Sequence, residues 1–405
     1  MRIIRYALVA ATTFGFVHPL ARTGAVSPGI TVLLTDSVRI VRGKRVGLIT
    51  NHTGRDELGR SSIDLLHDTP GVRLVALFSP EHGIRGTAEG GARISSSVDE
   101  KTGVPIYSLY GTALAPTREM LDKLDVLLYD IQDVGARGYT YVWTMALAAE
   151  AANRAGVKFV VLDRPNPIRA DIVEGDGIEK KFRSFTGLYD VPVRYGLTPG
   201  ELARLLVGEK LIPGPVTVIP MKGYRRSMWW DQTGLRWVNP SPNIRSVESA
   251  LLYPGLSFFE ATNVSEGRGT DAPLQQVGAS WLRDASDIAR DLNSRRIPGV
   301  HFSIVSRAVS RGEKFGGQTI PMIKVNVTNR DAIRSVQIGA SLLREIYRRH
   351  PAQFRWDGNG IEELSGSRAL RNAVEHGGVE DLLRDWRKHS AQFSATAARY
   401  YLYPP

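Results

Sequence analysis

Four short apolar runs, each passing directly into a polar cluster, constrain the fold of this chain most strongly: RVGLITNHTG, LVALFSPEHGIRGT, DVLLYDIQDVGARGYTY and FVVLDRPNP. Their strand segments, Val46 to Thr50, Leu74 to Phe78, Val126 to Tyr129 and Phe159 to Leu162, are continuously apolar. Strands covered on both faces require that composition. Helix-like stretches lie between them: SSIDLLHDTP, TREMLDKL and the Ala-rich VWTMALAAEAANRAG, where Gly156 marks the stop. A further helix is signalled in LTPGELARLLVGEK, with Thr198 as N-cap, Pro199 at the first helical position and Glu201 in the first turn. Strand alternating with helix needs crossover connections, which predicts an α/β, Rossmann-like doubly wound and mostly parallel sheet. Ligands of such a sheet bind outside the carboxyl ends of the strands. Asn51, His52, Glu81, His82, Asp130, Gln132, Asp133, Asp163 and Arg164 are therefore expected to converge on one pocket.

At 405 residues the chain exceeds one ordinary core, so two domains are expected, and 42% apolar residues can fill both. Beyond about Ser246 the pattern changes. YPGLSFFEATNVSEGRGT reads as loop, and GASWLRDASDIARDLNS and DAIRSVQIGASLLREIYRRH read as amphipathic helices around the strand-like HFSIVSRA and MIKVNVTN. This order predicts a second, smaller α+β auxiliary domain over 246–405, ending in a helix and a strap, after a Rossmann-like domain over 27–245. Residues 1–26 carry Arg2 and Arg5, an apolar run from Tyr6 to Val17 and small residues at Gly24 and Ala25, the layout of an export signal. Elsewhere no apolar stretch approaches the roughly 20 residues that span a bilayer.

Composition and missing motifs narrow the chemistry. The chain has no cysteine, which excludes disulfides, thiol nucleophiles and Cys-based zinc sites. Its net charge of +11 is spread along the sequence, and a spread excess favours an anionic partner without choosing among acidic glycans, phosphate surfaces and nucleic acid. No G-x-G-x-x-G follows a strand, and neither a P-loop, a G-x-S-x-G elbow nor an H-E-x-x-H is present. Nucleotide enzymes, serine hydrolases and zincins are disfavoured. His52, His82, Asp130 and Asp133 lack the close spacing of a metal-ligand set, so no metal and no cofactor is expected.

What remains is rich in carboxylates. Ser79-Pro80-Glu81-His82-Gly83 places an acid on a rigid turn directly after a buried strand, a position suited to a general acid. Asp130, Gln132 and Asp133 follow the third strand, where one could orient substrate and another an acid or water. Arg137, Arg164 and Arg268 offer forks that bind carboxylates bidentately. The stretch Glu260, Asn263, Ser265, Glu266, Gly267, Arg268, Gly269 and Thr270 reads as a binding loop. Tyr139, Tyr141 and Trp143 could offer stacking faces to a sugar, although at this spacing ordinary packing accounts for at least two of the three.

The segments FSPEHGIRGTAEGGA, PIYSLYG, DVLLYDIQDVGARGYTYVWTM, VLDRPNPI, VEGDGIE, SFTGLYDVPVRYGLTPGELA, WVNPSPN and LYPGLSFFEATNVSEGRGT, in this order, closely resemble the NamZ-like exo-β-N-acetylmuramidases. The resemblance runs from about Gly47 to about Trp281, and more loosely to the C-terminal YLY. It implies a Rossmann-like domain with an auxiliary domain, an active site in the cleft between them, and release of N-acetylmuramic acid from non-reducing ends of peptidoglycan fragments such as MurNAc-GlcNAc. It implies further that Glu81 is the catalytic glutamate of the SPEHG motif, with His82 its neighbour; Glu89, in the Ala88-Glu89-Gly90-Gly91 loop where the family varies, stays only a possible second carboxylate. For Asp130, Gln132, Asp133, Arg164 and Glu266 it implies a place in the site. The mature protein would be periplasmic or secreted, with neither nucleic acid nor membrane as partner. A glycosidase needs an acid for the leaving oxygen and a base, a nucleophile or the substrate's own acetamido group. Two other classes fit the residues: a non-catalytic cell-wall glycan-binding protein, and a metal-dependent amidase or deacetylase.

Overall fold

The computed structural model describes residues 25–85, 97–111 and 113–405. Among them ten strands form two sheets: β1 (Arg45–Thr50), β2 (Arg73–Ser79), β3 (Ser97–Val98), β4 (Pro105–Ser108), β5 (Val126–Asp130), β6 (Lys158–Leu162), β7 (Val216–Ile219), β8 (Gln276–Gly278), β9 (Val300–Ala308) and β10 (Thr319–Val327). The large sheet runs β3-β4-β2-β1-β5-β6-β7 and is parallel except for the β3–β4 pair. The chain builds outward from β1 through β2 to β4, then returns across β1 to lay down β5, β6 and β7. The topological switch point therefore lies between β1 and β5. The four strands anticipated from sequence are β1, β2, β5 and β6. The shorter PIYS and VTVI add β4 and β7 beside them.

The helices are α1 (Gly29–Asp36), α2 (Ser62–Asp68), α3 (Arg118–Leu121), α4 (Tyr141–Ala155), α5 (Pro199–Gly208), α6 (Val247–Leu256), α7 (Ala285–Ser294), α8 (Ser335–Arg349), α9 (Gly360–Ser365), α10 (Ala369–His376) and α11 (Val379–Ala397). Successive strand residues point to opposite faces, and the sheet sorts them accordingly. Val126 and Leu128 of β5 join Ile30, Leu33 and Leu66 from α1 and α2 in one core. Leu127 and Tyr129 join Val142, Met145 and Ala149 of α4 in the other. Each fully buried aliphatic side chain contributes roughly 1.5–3 kcal/mol, so both faces must stay covered. Helix α5 starts as its sequence predicts. Thr198 accepts from the Glu201 amide at 3.2 Å while Glu201 accepts from the Thr198 amide at 3.1 Å.

The α4 core continues without a break into the C-terminal half, taking in Phe258, Phe259, Ile338, Leu342 and Trp386. There β8-β10-β9 form an antiparallel sheet, and α6 crosses α8 at glycine contact. A Cβ at Gly255 would lie 1.8 Å from the Ser335 carbonyl oxygen, and one at Gly339 2.2 Å from that of Gly255. Alanine at either position forces the helices apart. The second domain is thus small and α+β as expected, but it shares its core with the first.

Three local expectations are corrected. GASWLRDASDIARDLNS becomes helix only from Ala285, because Gln276–Gly278 pair with β10 and complete the sheet. The start of YPGLSFFEATNVSEGRGT is helical: α6 carries Pro254 and runs into a 3-10 turn over Ser257–Ala261. Burial of LLYPGLSFF against α8 outweighs the proline and glycine signals. TREMLDKL yields only the single turn of α3.

The export signal expected over 1–26 falls almost wholly on residues outside those described. Val26, its last expected residue, is fully buried, and its amide donates to the Thr233 carbonyl at 2.8 Å. At the other end, the expected strap returns to the large sheet, where the Tyr403 hydroxyl donates to Asp163 at 2.5 Å.

Candidate active site

Strand β2 delivers Glu81. The turn after it closes through the Gly83 amide on the Pro80 carbonyl at 3.1 Å, with His82 (φ +69°) and Gly83 (φ +78°) both left-handed. A non-glycine residue in that region costs about 1–2 kcal/mol, and the turn sits at the rim of a cleft. Thr140, the residue before α4, donates its hydroxyl to Glu81 Oε2 at 2.5 Å and so ties the acid to the end of the helix. The cleft measures about 760 Å³. Glu81, His82, Tyr110, Tyr139 and Thr140 line it from the large sheet, and Tyr253, Glu260, Glu266, Arg268, Lys314 and Glu363 from the C-terminal half.

The far wall is an ion-pair cluster. Arg268 gives Nη2 to Glu260 Oε1 at 2.7 Å and Nε to Glu266 Oε1 at 3.0 Å. Lys314 gives Nζ to Glu266 Oε2 at 3.0 Å and also caps the carbonyls of Phe259 (2.8 Å) and Val264 (3.2 Å). Glu266 is buried with both oxygens engaged. Glu260 stays partly exposed to the cleft with one oxygen held; burial raises its carboxyl above the usual range, and Arg268 opposes this. Arg268 lines the cleft, and among the described residues its Nη1 makes no hydrogen bond.

A second cleft of about 710 Å³ lies at the switch point, lined by His52, Arg55, Gln132, Arg164, Arg236 and Trp237 among others. Here Arg164 is already committed. Its Nε meets Asp130 Oδ1 at 2.5 Å, its Nη2 meets the Arg55 carbonyl at 2.7 Å, and Ser62 donates to the other Asp130 oxygen. Gln132 donates Nε2 to the carbonyls of Asp133 (2.8 Å) and Pro165 (2.7 Å). Burial lowers the His52 pKa, against the Asn239 carbonyl 2.7 Å from Nε2.

The expected convergence on one pocket is therefore corrected: the structure distributes those residues over three environments. Glu81, His82, Tyr139, Glu266 and Arg268 share the Glu81 cleft, while Gln132, Arg164 and His52 face the other. Asp130, Asp133, Asp163, Asn51 and Arg137 are interior. Asp133 accepts from the Tyr195 hydroxyl and from the Gly135 amide, and burial pushes its carboxyl up to about 7. Asn51 accepts from the amide and hydroxyl of Thr53 at 2.9 and 2.6 Å. Arg137, grouped with Arg164 and Arg268 as a candidate carboxylate-binding fork, is fully buried and donates to the carbonyls of Asp176 (2.8 Å), Val191 (2.7 Å) and Leu364 (2.8 Å). Buried carbonyls without a partner are costly, and this guanidinium satisfies three at the seam between the halves. Asn263 bridges to the backbone of Gln353 and Arg355, each at 2.8 Å, and does not line the cleft. Tyr141 and Trp143 pack in the core, as anticipated for two of the three aromatics. Glu89 lies outside the described residues. With Asp130 and Asp133 turned to internal partners, His52, His82, Asp130 and Asp133 do not gather; among the described residues no three His, Asp or Glu side chains could hold a metal ion.

Comparison with known proteins identifies the architecture. Residues 46–248 match the family described as "Exo-beta-N-acetylmuramidase NamZ, N-terminal", and residues 251–403 match its C-terminal counterpart. The chain belongs to the NamZ family. Within it, the peptidoglycan β-N-acetylmuramidase NamZ of Bacillus subtilis (strain 168) is 42% identical over 385 residues, covering 95% of this chain and 92% of that protein. Two solved structures of DUF1343 family proteins from Bacteroides fragilis superpose with TM-scores of 0.88 and 0.74, at 37% and 29% identity, each covering 94% of this chain and 99% of the other. The NamZ-family fold thus includes both walls of the Glu81 cleft.

Sequence reasoning missed several residues of this cleft. Lys314 sits between β9 and β10, where a lone lysine among glycines carries no motif. Glu363 lies in the first turn of the short helix α9 and looks like any first-turn acid. Ser241 and Asn243 belong to WVNPSPN, whose proline punctuation was a usable signal for a rigid loop.

Proposed function

We propose that this NamZ-family chain is an exo-acting β-N-acetylmuramidase that hydrolyses terminal N-acetylmuramic acid from peptidoglycan fragments, MurNAc-GlcNAc being the smallest, with Glu81 as general acid. The observation that carries the reading is the pairing across one cleft of a carboxyl fixed by Thr140 with the Glu260–Arg268–Glu266–Lys314 cluster. Glu81 gives its proton to the glycosidic oxygen as the bond to the anomeric carbon breaks, and the leaving sugar departs as an alcohol. The anomeric carbon is then taken by water or by the substrate's acetamido oxygen. Glu260, with one oxygen turned to the cleft, is placed to orient that acetamide or water. Arg268 offers Nη1 to the lactyl carboxylate that distinguishes N-acetylmuramic acid from N-acetylglucosamine. The test is product analysis: the folded protein should release free N-acetylmuramic acid from MurNAc-GlcNAc and nothing from GlcNAc-terminated chains. Binding without release would make it a lectin instead.

The proposal extends to an exported, periplasmic or secreted protein. Because Val26 is part of the buried core, we place processing no later than Ala25, one residue earlier than the sequence suggested. N-terminal sequencing of protein from the extracytoplasmic fraction checks this; Met1 retained on protein found only in the cytoplasm rejects it.

A further inference from the structure

The switch-point cleft takes no part in the reaction above, yet the loop over 239–243 lines both it and the Glu81 cleft. Asn239, Ser241 and Pro242 line the switch-point side, and Ser241 and Asn243 the other. The loop is pinned from both sides. Tyr141 donates its hydroxyl to the Pro240 carbonyl at 2.7 Å and meets the His82 ring edge-on at 6.4 Å, while His52 holds Asn239.

Among the described residues the charge of this cleft is unbalanced. Its acids are used internally: Asp56 meets Arg60 at 2.6 Å and two backbone amides, and Glu57 accepts from the Thr31 hydroxyl at 2.5 Å. Two of its guanidinium groups are also spent, Arg164 on Asp130 and Arg85 on Asp99 at 3.2 Å. The other two have no carboxylate among the described residues. Arg55 donates to the carbonyls of His52 and Gly59, each at 2.8 Å, and exposed Arg236 has no hydrogen-bond or ion-pair partner among the described residues. Beside them Trp237 is held by its indole N–H on Asn239 Oδ1 at 3.0 Å and by the edge of Trp230 at a ring distance of 5.3 Å. Gln132, 3% exposed, lines the same cleft with Oε1 unpartnered. A fixed aromatic face, uncompensated guanidinium charge and a buried acceptor together describe a site for an acidic sugar.

We propose that the switch-point cleft is a distal subsite on the leaving-group side, which binds the next carboxylate-bearing sugar of a longer glycan as the chain passes over Ser241. This rests on the muramidase reading. In an alternating MurNAc-GlcNAc chain, the sugar after the leaving N-acetylglucosamine again carries a lactyl carboxylate. Arg236 meets that carboxylate and Trp237 stacks on the ring. A disaccharide ends before the subsite.

The test compares kcat/KM of the full-length protein on MurNAc-GlcNAc, on the tetrasaccharide (MurNAc-GlcNAc)₂, and on a tetrasaccharide whose internal N-acetylmuramic acid is replaced by N-acetylglucosamine. The wild type should prefer the first tetrasaccharide to both other substrates. Loss of one charge-assisted contact implies that Arg236→Ala lowers kcat/KM on (MurNAc-GlcNAc)₂ about tenfold, mainly through KM. The same variant should stay within about twofold of wild type on the disaccharide, since an exposed, unpaired side chain carries no fold. Equal effects on all three substrates, or none on any, overturn the subsite while leaving the muramidase intact. A wild type that releases nothing from the disaccharide overturns both readings.

Discussion

Two clefts of nearly equal size open at the same edge of the large sheet, and they differ in where their residues come from. The switch-point cleft is built from residues 52–242 alone, out of consecutive strand ends and one proline-rich loop. The Glu81 cleft takes its acid from the end of β2 and its facing cluster from residues 253–363. The strand-end rule therefore led to a real cavity, but Glu81 turned toward the other one. The difference extends to the arginines. Arg164 is consumed by Asp130 inside the first domain, whereas Arg268 is held by two glutamates and lines the Glu81 cleft. Arginine in a polar loop is read equally well as either, and only the placement of acids around it decides.

The strongest way to break this contrast is Glu81→Gln, which keeps the Thr140 contact but removes the transferable proton. General acid catalysis supplies about 10²- to 10⁴-fold, so kcat on MurNAc-GlcNAc should fall by that much while binding survives. On an aryl glycoside with an activated leaving group the loss should be smaller; near-normal turnover of the disaccharide would move the acid elsewhere.

A matched pair of arginine variants sharpens it further. Arg164→Met leaves the Asp130 carboxylate buried without its cation, which should cost roughly 3–5 kcal/mol of stability, read as a lower urea midpoint. The ratio of activity on muramyl over glucosaminyl ends should not move. Arg268→Gln should do the reverse in kind. It should lower kcat/KM on muramyl ends by about 10- to 100-fold, as expected for one charged hydrogen bond, and narrow that ratio. If Arg164→Met alone changed the ratio, the lactyl carboxylate would have to be read in the switch-point cleft.

Much of the architecture was legible beforehand. β1, β2, β5 and β6 follow from unbroken apolar runs, α5 from its capping box, and the Glu81 turn from Ser-Pro-Glu-His-Gly. These are local signals, carried by residues within one turn or one strand of each other. β8 and the C-terminal turn of α6 were not legible, because pairing with β10 and burial against α8 override the glycines and the proline that speak for loops.

By itself, then, the sequence determined which segments become buried strands, how the helices are capped and where an acid stands after β2. Tertiary structure alone decided what each polar side chain is used for. Arg137 serves the Leu364 carbonyl 227 residues away, Arg164 that of Arg55 109 residues away, and Lys314 closes on Glu266 across the second domain. The reason is physical. Backbone propensity and apolar periodicity act over a few residues, whereas a guanidinium or a carboxylate is defined by whichever partners the finished packing brings within about 3 Å.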